Sequence, residues 1–278
     1  MTKPAWGGTW SLIQASTAAE LAVTAASLAT PKLRGLSVRV PGTALADNSV
    51  LDAAAALAAT HKVALALRFM AGTSTPVAAL GHGVPFAGGG QIPVPFMPDG
   101  SPNLIFETWF AAKVDQLAAY KPVELHLSTY GAKWAELYQG PEVTSAKGYS
   151  DAAWYAGHYR LLDIAVAHSK GLMLETPLTG IGPLIDGGPA DNTIVKHIAA
   201  THPGLIAVQS NNKTATSPLG KWPIPHGAQM YGVGDYDWAA VYAGVIASSA
   251  LSLEVYSPSF VPGLAHHSAL LSEILTFA

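Results

Sequence analysis

Eight short apolar runs, separated by segments of helical character, constrain the fold of this chain more than any other feature. The strand-like runs lie near 9–14, 35–40, 63–69, 123–128, 172–176, 205–210, 228–232 and 251–256. Helices are predicted near 17–29, 49–60, 103–119, 151–168, 190–201, 237–249 and 264–276. Alternation of strands and helices predicts an α/β fold with a parallel sheet, and eight repeats predict a closed (β/α)8 TIM barrel.

The length of the chain suits a single domain of this kind. The chain has 278 residues, and one closed α/β barrel needs about 250. No linker, internal repeat or low-complexity tail divides it, so residues 1–278 are predicted to form one barrel domain. Candidate helix N-caps are Asp47, Asn48 or Ser49 before the second helix, Ser150 and Asp151 before the fourth, and Asp235 or Asp237 before the sixth.

Composition excludes several partners and chemistries. The formal net charge is −3 and no block of like charges occurs, so neither nucleic acid nor an anionic membrane surface is an expected partner. No apolar run reaches 18 residues and the N-terminus does not resemble a signal peptide, which argues against membrane insertion and signal-directed secretion. The absence of cysteine excludes disulfides and thiol catalysis. Without phosphate-binding motifs or metal-ligand spacings, we expect no cofactor and no metal.

The connections between the predicted elements are of unequal length. Helix-to-strand connections are short, whereas the strand-to-helix loops near 70–102, 129–150, 177–189 and 211–227 are long. Barrel enzymes build their sites from the loops that follow the strands. The functional face is therefore predicted at the carboxyl ends of the strands.

Alternation along the strands predicts a charged barrel interior. Val123, Leu125 and Leu127 form an apolar set that should face the helices, which leaves the intervening residues facing the centre. The same parity places these polar residues inside: Ser37, Arg39, Arg68, Glu124, His126, Ser128, Glu175, Gln209, Asn211, Ser252, Glu254 and Tyr256. Buried charges need partners, so these groups form either an ion-pair network or a ligand site at the mouth.

The loops at the same end are rich in aromatic side chains. Exposed tryptophan and tyrosine rings stack on sugar rings, while arginine, asparagine and glutamate bond sugar hydroxyls. As a group these aromatics favour a saccharide ligand; the alternative is that they form small loop cores. They are Tyr130, Trp134, Tyr138, Tyr149, Trp222, Tyr231, Tyr236 and Trp238.

Hydrolysis of a glycan would need an unusual arrangement here. Glycosidases use two carboxyl groups, about 5–5.5 Å or about 6.5–9.5 Å apart, and Glu175 and Glu254 are the best-placed pair. The large group of barrel glycosidases carries Asn-Glu at the end of strand four and a glutamate at the end of strand seven. This chain has Ser-Thr-Tyr at 128–130 and Gln-Met-Tyr-Gly at 229–232. Binding without cleavage is therefore the preferred hypothesis.

Six segments resemble those of minor tail proteins of phages that infect actinobacteria, a group similar in turn to glycosidase-type barrels. The segments are LRGLSVRVPG, VALALRFMAG, FMPDGSPNLIFE, STYGAKWAELYQGPEV, GYSDAAWYAGHYRLLDIA and LETPLTGIGP. The resemblance spans roughly residues 33–185 and is strongest at Tyr130-Gly131 and 134–137. Where the family has a tryptophan before the Tyr-Gly pair, this chain has Thr129, which reduces the stacking platform.

The resemblance implies a virion tail or tail-tip protein with a glycoside-hydrolase-like barrel, made in the cytoplasm of the bacterial host. It implies a symmetric oligomer in the virion, with other phage tail subunits and host cell-surface glycan as partners. The expected glycan-binding residues are Arg39, Arg68, His126, Ser128, Tyr130, Trp134, Gln209, Asn211 and Tyr256. Two alternatives remain: a glycoside hydrolase with Glu175 and Glu254 as catalytic residues, and a purely structural tail module whose third loop plugs the mouth.

Overall fold

A computed structural model describes residues 8–14, 17–24, 35–70, 77–85, 91–126, 151–168, 173–177, 200–201, 206–211, 226–230, 242–243, 246–247 and 252–256. Within them the strands are β1 (Gly8–Gln14), β2 (Gly35–Pro41), β3 (Ala64–Met70), β4 (Gly83–Pro85), β5 (Gln91–Pro93), β6 (Glu124–His126), β7 (Met173–Pro177), β8 (Ile206–Asn211), β9 (His226–Met230) and β10 (Ser252–Tyr256). The helices are α1 (Ala18–Thr24), α2 (Ser49–His61), α3 (Leu104–Ala118) and α4 (Asp151–His168). Short 3-10 helices span Gly42–Leu45 and Val77–Leu80.

The parallel strands pair in a ring. Its order is β1, β2, β3, β6, β7, β8, β9 and β10, and β10 pairs back to β1. Added once around the ring, the register offsets between neighbouring strands give a net shift of eight residues. Eight strands with a shear of eight are the geometry of the TIM barrel. The chain therefore has a TIM-like fold, and each of the eight predicted strands overlaps one strand of the ring.

The outer face of the ring packs against helices. The alternate residues Leu36, Val38 and Val40 of β2 are fully buried in a core that α2 and α3 complete. On β3, the Phe69 ring lies 5.4 Å from that of Trp109 and 5.6 Å from that of Phe110, both on α3. Aromatic pairs at these distances add to the free energy of burial. The outer face is thus the apolar one, as the strand pattern predicts.

The helices begin and end near their predicted positions. Before α2, the Ser49 amide donates to Asp47 Oδ1 at 2.8 Å, so Asp47 supplies the capping group; the N-cap Asn48 makes no side-chain cap bond. Hydrogen bonds from the Ser49 side chain and then from its backbone amide lower the pKa of Asp47. Residues 200–201, 242–243 and 246–247 are helical within two further predicted helices. The predicted helix at 264–276 lies outside the described residues.

The loop after β3 contains structure that the sequence pattern did not predict. β4 and β5 form a separate antiparallel hairpin, and Asn103 joins this loop to the start of α3. The buried Asn103 side chain donates to Leu80 O at 2.7 Å and to Val94 O at 2.9 Å, and accepts from the Phe106 amide at 3.3 Å. One side chain therefore caps the helix and fixes two loop carbonyls.

The same loop is held against α4. Arg160 Nε donates to Glu107 Oε1 of α3 at 2.6 Å, and its Nη2 donates to Pro95 O of the loop at 3.0 Å. A Cβ added at Gly157 of α4 would lie 2.8 Å from Pro95 Cγ, so loop and helix are in close contact. The described residues of the third loop thus pack on the outer helices. Whether residues 1–278 form one domain stays a prediction.

Candidate functional site

The inner face of β2 and β3 carries the polar residues that alternate with the apolar core positions. Ser37 is 0% exposed, Arg68 is 1% exposed, and Arg39 is partly buried. Since Leu36, Val38, Leu67 and Phe69 belong to the core beneath the helices, strand alternation directs these three polar side chains to the barrel centre. The predicted parity of β2 and β3 is confirmed. We call Ser37, Arg39, Ala66 and Arg68 the β2–β3 wall.

The strand register aligns this wall with other predicted site residues. Gln14 is the register partner of Arg39, which in turn pairs with Arg68. Arg68 pairs with His126 of β6, and His126 pairs with Glu175 of β7. Residues from five segments of the sequence therefore occupy one row across five adjacent strands. Paired positions in a parallel sheet share a face, so this row has the parity of the barrel interior.

Residues at one height in the barrel come from alternate strands. The shear is eight over eight strands. Going around the ring from β2 toward β3, the register partner on each next strand therefore lies one residue lower along the barrel axis. Ser37, His126, Val208 and Glu254 fall in one layer. Glu175 falls one residue lower, three strands from Glu254 in the ring. The two predicted catalytic residues therefore lie in adjacent layers of the barrel.

The register corrects the prediction for β8. Gln209 and Asn211 are register partners of Ala228 and Met230, and Ala228 is in turn the partner of Leu253. These positions share the parity of the outer face. Ser210 is the partner of Gln229 and has the inner parity instead. The placement of Gln209 and Asn211 inside the barrel was wrong because apolar and polar residues fall on both parities of Ile206–Asn211, so the strand carries little alternation.

The remaining predicted residues divide between strand ends and loops. Tyr256 is the last residue of β10 and pairs with Leu12 of β1, a position of inner parity. Ser128, Tyr130 and Trp134 lie outside the described residues, as do the other aromatic loop residues. Their predicted roles remain predictions.

Arg39 and Arg68 place two positive charges at neighbouring positions of the β2–β3 wall. Like charges on directly opposite residues of adjacent strands destabilise a sheet, and burying a guanidinium costs further free energy unless anions or hydrogen-bond acceptors offset it. Arg39 and Arg68 each have an interaction partner within the chain, as a buried guanidinium requires. The wall therefore lines the barrel centre with hydroxyl and guanidinium groups.

Two further features of the described residues bear on function. Within these ranges, no group of three or more histidine, aspartate or glutamate residues could hold a metal ion. In the same part of the chain, no helix combines the length and apolarity needed to cross a bilayer.

Comparisons with known proteins return only distant structural likeness. No family model matches the chain, and no curated protein matches it. D-Psicose 3-epimerase of Clostridium cellulolyticum H10 shares 8% identity at a TM-score of 0.49, covering 90% of this chain and 84% of that chain. The 3-keto-D-glucoside 4-epimerase of E. coli shares 9% at 0.47, covering 97% and 99%.

A GH20 catalytic module of the pneumococcal exo-beta-D-N-acetylglucosaminidase shares 10% identity at a TM-score of 0.46, covering 91% of this chain and 79% of that chain. At such values the likeness carries no functional argument. The TIM-like fold rests on the strand register, and the residues of the inner wall carry the argument about function.

Proposed function

We propose that this chain is a saccharide-binding protein that uses the carboxyl end of its barrel and does not cleave the glycan it binds. One observation carries the proposal: Arg39 and Arg68 place hydrogen-bond donors on the inner face of two adjacent strands, near their carboxyl ends, and Ser37 lies one inner position deeper on β2. Saccharides present many hydroxyl and ring oxygens that accept such bonds. TIM barrels bind their ligands at this end.

The resemblance of residues 33–185 to minor tail proteins supports a more specific proposal. In it, the chain is a subunit of the tail of a phage that infects actinobacteria, with a glycoside-hydrolase-like barrel that adheres to the glycan of the host envelope. Repetition in a symmetric tail would strengthen adhesion, because several weak sites acting together bind far more tightly than one.

Incubation of the purified full-length chain with mycobacterial and related actinobacterial envelope polysaccharides tests the proposal. Two quantities are measured: protein retained on the glycan and reducing ends released from it. We expect retention without release, and loss of retention in Arg39→Gln. Lys62→Asn is the matched control, since it removes the same charge from an exposed helix C-cap at the amino end of β3, and asparagine tolerates its left-handed backbone.

The other hypotheses are decided by the same assay. Release of reducing ends that disappears in Glu175→Gln or Glu254→Gln would establish a glycoside hydrolase and overturn the non-cleaving proposal. Both glutamates occupy inner-face positions in adjacent layers of the barrel, and for this reason the hydrolase alternative is tested. The absence of both retention and release would reject saccharide binding and would favour a structural assembly module.

A further inference from the structure

Polar residues of inner parity continue around the ring beyond the β2–β3 wall. Gln14, the last residue of β1, is the register partner of Arg39 on β2. On the other side of β1, Leu12 is the partner of Tyr256, the last residue of β10. Positions two apart on a strand share a face, so Gln14, Leu12 and Tyr256 have one parity. The inner parity of Arg39 therefore extends across β1 to β10.

The next two strands of the ring continue this pattern. Gln229 of β9 pairs with Glu254, which lies two residues before Tyr256 on β10, and Ser210 of β8 pairs with Gln229. Gln229 and Ser210 therefore also have inner parity. Together with the two arginines they form what we call the polar arc, which follows six consecutive strands of the ring. Its members are Ser210, Gln229, Tyr256, Gln14, Arg39 and Arg68.

The polar arc lies at the carboxyl end of the barrel. Allowing for the shift of one residue per strand, its members fall in three successive layers. From the highest layer to the lowest they are Gln14; then Arg39, Ser210 and Tyr256; then Arg68 and Gln229. One residue of strand spans about 3.3 Å, so the arc is a band about 7 Å tall. Bulky branched residues fill most positions of this kind in TIM barrels, and the arc has none.

From this arrangement we propose that Gln14, Ser210 and Gln229 bind the saccharide together with Arg39. The inference rests on the proposed saccharide-binding function and names further residues of the same site. Glutamine amides and serine hydroxyls both donate and accept hydrogen bonds, and sugar hydroxyls do the same. Every member of the polar arc lies within two residues of the end of its strand, so a sugar bound across this end of the ring need not enter the barrel centre.

Three glutamines on the strands allow the same substitution to be compared at inner and outer positions. Gln14 and Gln229 have inner parity, whereas Gln209 has outer parity and directly precedes Ser210. Methionine in place of glutamine removes the amide and keeps a long, unbranched side chain. Each full-length variant is titrated with mycobacterial envelope polysaccharide, and the retained fraction of protein gives an apparent affinity.

The two inner variants should bind the polysaccharide more weakly than the outer one. Gln14→Met and Gln229→Met should each lower the apparent affinity about threefold to tenfold, which corresponds to the loss of an uncharged hydrogen bond. Gln209→Met should leave the affinity unchanged. Circular dichroism and unfolding midpoints establish that each variant is folded, so a loss of binding is not a loss of fold.

The outcomes separate the inference from the function on which it rests. Retention of the wild-type chain with no loss of affinity in either inner variant would overturn the polar arc and leave saccharide binding standing. A loss in Gln209→Met as large as in the inner variants would also overturn it, because parity would then not select the binding residues. If the polysaccharide does not retain even the wild-type chain, the proposed function fails together with the inference.

Discussion

Two buried or partly buried arginines of this molecule have opposite surroundings. Arg160, in the outer helix layer, is bonded to the Glu107 carboxylate at 2.6 Å and to the Pro95 carbonyl at 3.0 Å. Arg68, in the barrel interior, has another arginine, Arg39, as its register partner on β2. In the outer layer the chain supplies acceptors for the cation. In the inner wall two cations occupy paired positions on adjacent strands, and both have partners within the chain.

Other polar groups of the outer layer follow the pattern of Arg160. Lys113 Nζ donates to Leu45 O at 2.5 Å, and His168 Nδ1 lies 3.0 Å from Asp115 Oδ2. These contacts join α3 to the segment before α2 and to α4. These outer polar residues stabilise the fold, whereas the β2–β3 wall is the place where we propose that a ligand binds. Sites of function commonly depart from the arrangement that stability alone would favour.

The largest effect should come from the apolar part of the outer layer. Phe110 is 0% exposed and packs against Phe69 and Phe106. Phe110→Ala should lower the free energy of unfolding by about 3–5 kcal/mol, because it removes buried area and leaves a cavity. Urea denaturation measures the change, and Thr108→Ala, on the exposed side of the same helix, is the control. A loss below about 1 kcal/mol would contradict the assignment of this face as the core.

Asn103 tests whether a polar group of the outer layer is structural. Asn103→Ala should destabilise the chain by about 3 kcal/mol, because it removes the cap of α3 and leaves the buried Leu80 and Val94 carbonyls without this donor. Asn103→Asp keeps the cap acceptor and loses the donors, so it separates the two contributions. Saccharide retention by the folded fraction should not change. A binding defect in that fraction would contradict the purely structural role of Asn103 in the outer layer.

The sequence pattern predicted the eight strands of the ring well, but it predicted the wrong face for the polar residues of β8. Alternation over 35–40 and 64–69 is strong because large apolar residues fall only on the outer parity there, so the parity of Arg39 and Arg68 could be predicted. In Ile206–Asn211, apolar residues fall on both parities, and the polar end of the strand suggested the wrong face. Periodicity needs one face of a strand to differ chemically from the other, and the sequence of this strand lacks that difference.

The loop after β3 shows a second limit of sequence patterns. β4 and β5 have three residues each and contain prolines and glycine, which are depleted in strands. Their pairing depends on contacts with distant residues, such as the carbonyl of Pro95 with Arg160. Asn103 could have been noticed as a helix cap before an apolar run. Its two bonds to the loop could not, because they depend on how that loop folds.

A pair of matched substitutions, one in each layer, tests the two arginine surroundings directly. Arg160→Gln should lower the free energy of unfolding by about 1–2 kcal/mol, since it breaks a partly buried ion pair, and should leave saccharide affinity unchanged. Arg39→Gln should do the reverse, with a smaller loss of stability and at least about a tenfold loss of affinity for the saccharide. Denaturation and calorimetry are run on both proteins. Equal stability losses with no loss of binding in either would remove the distinction between the two layers.

The smallest effect concerns His82, whose ring meets that of Phe96 edge-on at 6.5 Å. Burial lowers its pKa, because a desolvated imidazole resists protonation. In the unfolded chain the histidine titrates near its ordinary value of about 6.5. The neutral ring therefore contributes stability above that pH, and the contribution is lost as pH falls toward the folded-state pKa.

The substitution His82→Phe keeps an aromatic ring against Phe96 and removes the titration. Urea unfolding between pH 7.5 and 5 should show the wild-type protein losing more stability than the variant as pH falls below about 6.5. Every other titrating group is common to the two proteins, so the difference between their curves isolates this histidine. Parallel curves would mean that His82 is as hydrated in the folded chain as in the unfolded one. In that event the third loop would pack less tightly around the His82 side chain than the contacts of this loop with Asn103 and Arg160 imply.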